Sequence, residues 1–328
     1  MDRKIKLFAA LILGLFIAGM STETVAQDIM EAQREMKSGI QKKREENYPA
    51  AIKSFGNCID VCNQLGSEAN EVLKDAQKRL VKTHLDYGNS LFEKEEYDNA
   101  LTHYNKAIEL GEEYKQESYV TKAKNNLPQV FYVKGKKNLE NKNYEEAINQ
   151  FNKAIEKNPD YGWAYIRKAQ AYQNLGKIAE FKKSINTAVE VGKKTGHEKV
   201  VKKADGEAYE FFANKGISAL KAKDYATAAQ NLEEATNHNG STKVVHYLAM
   251  SYGKIGEYKK AIENENKVIE ALKGEKSKEE LAQYYYSLAQ YYQKDGQKAQ
   301  ACSAYKNAAY GKYKDNAEYQ IKYKLKCQ

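Results

Sequence analysis

One pattern of small, aromatic and bulky residues returns seven times along the chain. In the clearest copy, the landmarks are Gly135, Tyr144, Ala147, Phe151 and Ala154, followed by Asn158-Pro159. A repeat of about 34 residues with such landmarks predicts a pair of antiparallel helices that stacks on the next pair. We therefore expect an all-α chain that folds as a right-handed α-α superhelix of about seven helical hairpins.

The first small residue of each copy is the anchor from which the other positions are counted. The anchors are Gly39, Gly88, Gly135, Ala169, Gly216, Ala249 and Ala289. Twelve residues after the anchor, six copies have alanine and the fourth has Phe181. Sixteen residues after the anchor, six copies have an apolar or aromatic residue, and the sixth has Glu265. These two departures put the local helix packing of the fourth and sixth copies in doubt.

Helix boundaries can also be predicted from the repeat. Tyrosine begins the expected second helix in five copies, at Tyr48, Tyr97, Tyr144, Tyr225 and Tyr258. Three anchor-to-anchor intervals are longer than the others, and we expect their extra residues to lengthen helices. The only prolines, Pro49, Pro128 and Pro159, are expected at helix boundaries, where a missing N–H is tolerated.

The repeat resembles the tetratricopeptide repeat (TPR) family. The stretch from Asn143 through Ala147 to Pro159 is close to the family consensus, and so is the stretch from Glu257 to Ala261. The resemblance covers nearly all of residues 28–310. It implies a TPR solenoid over residues 27–310, with residues 311–328 as a C-terminal capping helix or tail.

Residues 1–26 have the composition of a signal peptide. Arg3, Lys4 and Lys6 precede an apolar run from Leu7 to Met20 that is too short to span a membrane comfortably. Small residues then allow cleavage near Ala26-Gln27. We expect a periplasmic or secreted protein with no transmembrane segment in the mature chain. No cysteine stands directly after the apolar run, so a lipoprotein is not expected.

The charge of the chain limits its partners. Lysine and arginine outnumber acidic residues by 53 to 44, a net charge of +9. This charge suits anionic envelope components, but a solvated lysine-rich surface is the explanation that we favour. Only five of the basic residues are arginine, the residue that favours forked recognition of phosphate, and we therefore expect no nucleic acid partner.

The cysteines and histidines form no recognisable catalytic motif. Cys58 and Cys62 lie one helical turn apart, and Cys58 occupies the small-residue slot of the first copy. Cys302 could form a disulfide with Cys327 if the C-terminal tail folds back as a cap. The sequence contains no zinc-protease motif, glycine-rich phosphate loop or nucleophile elbow, so we expect no enzyme, cofactor or metal.

In TPR proteins the first helix of each hairpin lines the concave groove. The resemblance implies that the partner-binding residues are Tyr132, Lys136, Trp163, Arg167, Gln170, Asn214, Tyr247, Tyr286 and Gln290, and it places Ile166 and His246 on the same face. Trp163 and Arg167 combine aromatic area with positive charge, which is typical of residues that anchor a bound chain. The alternative is that Trp163 only packs after Pro159.

Three functions of different class remain. The first is an exported scaffold or adaptor that binds other proteins or peptide segments in the cell envelope. The second is a structural or assembly factor of the outer membrane or cell wall that acts by self-association. The third and weakest is an enzyme or small-ligand carrier with a site hidden between helices.

Overall fold

The computed structural model describes residues 26–327. Apart from Ala26, the predicted signal peptide lies outside the described residues. Helix α1 covers residues 26–44. The following helices are α2 Tyr48–Leu65, α3 Asn70–Glu93, α4 Tyr97–Glu113, α5 Glu117–Glu140, α6 Tyr144–Lys157, α7 Gly162–Asn174, α8 Ile178–Thr195, α9 Glu198–Lys221, α10 Tyr225–Asn239, α11 Thr242–Lys254, α12 Tyr258–Leu272, α13 Lys278–Lys294, α14 Lys298–Ala308 and α15 Lys314–Tyr319. Residues 26–327 contain no strand, only an isolated bridge between Lys273 and Lys276, so the all-α prediction is confirmed.

The chain divides into two compact units, one ending at Lys177 and the other beginning at Ile178. In the first unit, α3 packs on α4, α4 on α5, α5 on α6 and α6 on α7. In the second unit, neighbouring helices from α8 to α14 pack in the same sequential way. Packing between sequence neighbours is the property of a helical repeat, in which each hairpin buries its apolar face on the next. The boundary falls between α7 and α8, the two helices that the sequence assigns to the fourth copy.

The repeat pattern corresponds to direct contacts across each hairpin. A Cβ atom added at Gly39 would lie 2.7 Å from the ring of Phe55, sixteen residues later. The same construction at Gly135 brings the added carbon within 2.6 Å of the ring of Phe151. Glycine anchors are therefore required because the bulky residue of the second helix occupies the space of a side chain.

The second helices begin where the sequence predicts. Helices α2, α4, α6, α10 and α12 begin at the five predicted tyrosines, and Pro49 lies in the first turn of α2. The residues sixteen after the anchors are all nearly fully buried: Phe55, Tyr104, Phe151, Ile185, Leu232, Glu265 and Tyr305. Phe181 is also fully buried, against Phe211 and Phe212 of α9, with ring centroids 4.3 and 5.8 Å away. The fourth copy thus accommodates a large side chain in place of alanine.

The extra residues of the long intervals lengthen α3, α5 and α9, each of which has 24 residues. This agrees with the expectation of helix extensions. The expectation that Pro128 lies at a helix boundary is wrong, because Pro128 is buried inside α5. An interior proline removes one backbone hydrogen bond and costs about 3 kcal/mol. Buried side chains on both sides of it, including Leu127 and Val130, supply packing that offsets this cost.

The C-terminal tail folds as a cap. After α14, a short 3₁₀ turn at Gly311–Tyr313 leads into α15, and one π-helical turn follows at Gln320–Lys324. A disulfide joins Cys302 of α14 to Cys327, as the sequence allows, with a Cα–Cα distance of 5.9 Å. Cys58 and Cys62 are free and buried. Burial raises the pKa of the Cys58 thiol to about 12, which keeps it protonated and unreactive.

Candidate functional site

Three of the predicted binding residues meet in the first unit, on first helices α5 and α7. The Nε of Arg167 donates a hydrogen bond to the hydroxyl of Tyr132 at 3.4 Å, and its Nη1 donates to Oε1 of Gln170 at 2.8 Å. All three side chains are half-buried. The guanidinium is therefore held in a defined position at the surface between two successive first helices.

An aromatic cluster supports this arginine. The ring of Tyr132 lies 5.2 Å from that of Tyr161 and 6.0 Å from that of Phe151, measured between centroids. Burial raises the pKa of the Tyr161 hydroxyl to about 12, so it remains a neutral donor at any physiological pH. The site thus offers aromatic area beside a fixed positive charge, a combination that suits a peptide segment.

The remaining predicted residues of this unit differ in their surroundings. Trp163 is half-buried on α7, four residues before Arg167, and helical spacing places the two on one face. Lys136 is exposed and pairs with Glu140, with 3.6 Å between Nζ and Oε1. The placement of Ile166 on the binding face is wrong, because its side chain is fully buried. Adjacent residues on a helix point in different directions, so Ile166 enters the core while its neighbour Arg167 reaches the surface.

The second unit carries the other predicted residues. Asn214 is exposed on α9, and Tyr247 on α11 is half-buried with the Nζ of Lys243 5.8 Å from its ring. Tyr286 on α13 packs on Tyr305 and Tyr313, with centroids 5.5 and 5.3 Å away. Tyr286 is half-buried and joins α13 to α14 and the cap.

Gln290 lies in a cleft between α11 and α13 of the second unit. The cleft has a volume of about 460 Å³, and its lining includes Lys254, Ser287 and Lys294. Its floor is formed where Tyr291 approaches Gly253, and a Cβ at this glycine would lie 2.3 Å from the tyrosine ring. The cleft carries two lysines among polar and aromatic side chains, so it suits an acidic segment.

A cluster of amides in the first unit is missing from the sequence prediction. The Oδ1 of Asn89 on α3 accepts hydrogen bonds from the hydroxyl of Tyr104 at 2.8 Å and from Nδ2 of Asn126 on α5 at 2.9 Å. These residues line a cleft of about 200 Å³ together with Glu93 and Gln129. Asn126 lies in the added length of α5 and is not one of the landmark positions of the repeat. The repeat spacing therefore does not predict its contact with Asn89.

Glu265, the residue that breaks the repeat pattern, is completely buried and paired. Both of its carboxylate oxygens lie 2.9 Å from Nδ1 of His246 on α11. Burial raises the pKa of the Glu265 carboxyl, and the histidine partly opposes this effect. The His246 ring also meets Tyr284 edge to face at 4.9 Å. The carboxylate thus fixes the orientation of an imidazole on the first-helix face.

A second histidine contact lies between α3 and α4. The Nδ1 atoms of His84 and His103 are 3.0 Å apart, so one ring donates a hydrogen bond to the other. Burial and the neighbouring His103 lower the pKa of His84 to about 4. In residues 26–327, no three histidine, cysteine or acidic side chains converge as metal ligands would. Over the same residues, no helix combines the length and hydropathy of a membrane span.

Comparison with known families agrees with the repeat geometry. Two family models described as tetratricopeptide repeat match the chain, one at residues 81–125 and the other at residues 138–196. Residues 81–125 and 138–196 are therefore tetratricopeptide repeats. The matched segments cover α4 and parts of α3 and α5, and then α6 to α8, and the same anchor contacts recur outside them at Gly39 and Gly216.

Solved TPR structures show low overall similarity. A tetratricopeptide repeat protein from Parabacteroides merdae ATCC 43184 is 14% identical, with 91% of this chain and 100% of that chain covered and a TM-score of 0.27. YrrB, described as a TPR protein with an unusual peptide-binding site, is 17% identical, with 60% and 88% covered and a TM-score of 0.29. The TPR2AB domain of yeast Sti1 in complex with pHSP90 is 20% identical, with 74% and 95% covered and a TM-score of 0.28. The search of curated proteins finds no match to the chain.

Proposed function

We propose that this TPR protein is an exported scaffold that binds segments of partner proteins on the first-helix faces of its repeats. The observation that carries the proposal is the fixed guanidinium of Arg167, held by Tyr132 and Gln170 between two successive first helices. First helices line the binding groove in the TPR family, and an arginine beside aromatic rings is a common anchor for a bound chain.

The cellular site of this scaffold is part of the proposal. Three basic residues, the apolar run from Leu7 to Met20 and the small residues before Gln27 support export. Mass spectrometry of the protein from an envelope fraction measures both its location and its cleavage site. A mass that corresponds to a start at Gln27 is expected, and an uncleaved chain in the cytosol would contradict export.

The binding face can be tested with one double variant. Trp163→Ala with Arg167→Ala should reduce crosslinked capture of envelope proteins at least about tenfold, because it removes an aromatic anchor and a directional charge together. The control Arg34→Ala removes a guanidinium in an exposed pair with Glu31 at 3.8 Å, and capture should be unchanged. Circular dichroism confirms that each variant is folded.

The same preparation decides between binding and packing. If Trp163 only packs in the fold, the double variant melts at a lower temperature and its folded fraction binds partners normally. Normal capture by a fully folded double variant would exclude this face. Concentration-dependent growth in light scattering, with no partner captured, would instead favour the self-associating assembly factor.

A further inference from the structure

The end of the chain carries an uneven share of its charge. Residues 298–328 contain seven lysines, no arginine and two acidic residues, a net charge of +5 out of +9 for the whole chain. The lysines are Lys298, Lys306, Lys312, Lys314, Lys322, Lys324 and Lys326. Helix α14 has no acidic residue at all, and the two acidic residues, Asp315 and Glu318, both lie on α15. We call residues 298–327 the basic end.

Two tyrosines of the basic end face solvent. Tyr319 is 48% exposed and Tyr323 is 58% exposed, and their rings lie 5.5 Å apart. Lysine ammonium groups flank both rings, with Lys324 5.9 Å from the centroid of Tyr319 and Lys322 5.2 Å from that of Tyr323. Most other tyrosines of the chain are at least half-buried. Helix packing therefore does not explain an exposed aromatic pair among lysines.

A cleft beside the disulfide extends the same surface. It has a volume of about 530 Å³ and is lined by Lys298, Lys306 and Lys326, with Ser303 and the two bridged cysteines. Among the described residues, no acidic side chain contributes to its lining. Three lysines around one cleft attract a negatively charged group.

The disulfide makes the basic end a fixed surface. The bond from Cys302 to Cys327 holds the last turn of the chain on α14 across a separation of 25 residues, and it brings Lys326 to the cleft. The buried Ala317 of α15 adds a packing contact.

We propose that the basic end docks the protein on the surface of an anionic lipid bilayer. Lysines close to an anionic leaflet are attracted to it, and tyrosine is enriched at the membrane–water interface, where its ring contacts lipid and its hydroxyl contacts water. The absence of arginine favours a surface with many mobile charges, because lysine acts as a point charge without the forked geometry that binds single carboxylates. This docking is separate from partner binding on the first helices.

Flotation with lipid vesicles tests the proposal on the processed chain, residues 27–328. The protein should float with vesicles of phosphatidylglycerol and phosphatidylcholine and should stay behind with phosphatidylcholine alone. Replacing Lys322, Lys324 and Lys326 by glutamine should lower the partition coefficient about tenfold or more. The matched control replaces the exposed Lys53, Lys78 and Lys183 by glutamine and should bind like the wild type.

The tyrosine pair separates a bilayer from other anionic partners. Tyr319→Ser with Tyr323→Ser leaves the charge unchanged and should still weaken vesicle binding about threefold or more, since it removes the interfacial rings. Soluble poly-glutamate should compete only weakly with vesicles. Three results would overturn the proposal. Vesicle binding could fall equally in the two triple-lysine variants, or stay unchanged in the double-tyrosine variant. The protein could also bind poly-glutamate as tightly as it binds vesicles.

Two measurements keep the outcome interpretable. Mass spectrometry shows whether Cys302–Cys327 is intact in each variant, and thermal melting shows whether the second unit is folded. The Trp163→Ala, Arg167→Ala variant should float like the wild type. Loss of vesicle binding at the basic end and loss of partner capture at the first helices are thus scored independently.

Discussion

At the scale of single residues, the absence of a side chain sets the distance between paired helices. Gly39, Gly88 and Gly135 each face an aromatic ring sixteen residues later, with distances of 2.6 to 2.8 Å from a constructed Cβ to the ring. Real Cβ atoms do not approach a ring so closely, so alanine would force the ring or the helix to move. Glycine is retained although it is a poor helix former, because packing outweighs propensity at these positions.

The first prediction concerns this contact in the third copy. Gly135→Ala should destabilise the first unit by about 1–3 kcal/mol, because the Phe151 ring is fully buried and has no space to withdraw. Urea unfolding followed by the fluorescence of Trp163, the only tryptophan, measures the effect in this unit.

The matched control is Gly56→Ala in α2, where no atom lies within 4 Å of the added carbon. That change should stabilise the same unit by about 0.5–1 kcal/mol through helix propensity alone. Stabilisation by both substitutions would mean that the anchor contact does not constrain the hairpin.

At the scale of helices, α11 and α12 are joined by a buried ionisable pair at a position where the other copies have uncharged side chains. Six copies place an uncharged side chain at the position of Glu265, and all are buried. The raised pKa of the Glu265 carboxyl means that burial of its charge is unfavourable at neutral pH. A buried pair of this kind is weak support for stability, and it is more easily explained by the orientation it gives to His246.

The second prediction follows from this energetic balance. His246→Leu alone should destabilise the second unit by about 2–4 kcal/mol at neutral pH, because it leaves the Glu265 carboxylate buried without a partner. Adding Glu265→Leu to this variant should restore at least the stability that His246→Leu alone removes. The stability of the single variant should increase as pH falls towards the raised pKa of Glu265, since protonation removes the buried charge. Urea unfolding followed by circular dichroism measures both effects, and a double variant less stable than His246→Leu would contradict them.

The sequence predicts the elements of this protein better than the contacts between them. The tyrosines that begin the second helices and the lengthened α3, α5 and α9 follow from local patterns and spacing. The bond from Cys302 to Cys327 is only allowed by the sequence, because it depends on how the tail folds back on α14. The expectation of a helix boundary at Pro128 is wrong because the packing of α5 outweighs the local effect of proline. The pairs His84–His103 and His246–Glu265 join residues 19 positions apart on different helices, and only the rotation of each helix determines whether such side chains meet.

At the scale of the whole molecule, acid acts in opposite directions on two buried groups, one in each unit. Burial and the neighbouring His103 lower the pKa of His84 to about 4, with a further contribution from Lys106 that Glu109 partly opposes. Burial also lowers the pKa of His103. The unfolded chain therefore binds protons on these rings before the folded first unit does. In the second unit, the pKa of Glu265 is raised, so acid has the opposite effect on this group. Protonation of the Glu265 carboxyl removes a buried charge and so increases the free energy of unfolding.

The third prediction is that the first unit loses stability as the pH falls from about 7 to about 5. Because the pKa of His84 is about 4 in the folded protein and 6.5 ordinarily, the unfolded chain takes up a proton at a higher pH than the folded first unit does. The free energy of unfolding is therefore at its full value above pH 6.5 and falls as the pH approaches 4. The expected loss at pH 5 is about 1–2 kcal/mol. Urea unfolding followed by Trp163 fluorescence reports on this unit alone. Replacing His84 and His103 by leucine should flatten the pH dependence. If the leucine variant retained the full pH dependence, the acid sensitivity of the first unit would have to originate outside the histidine pair.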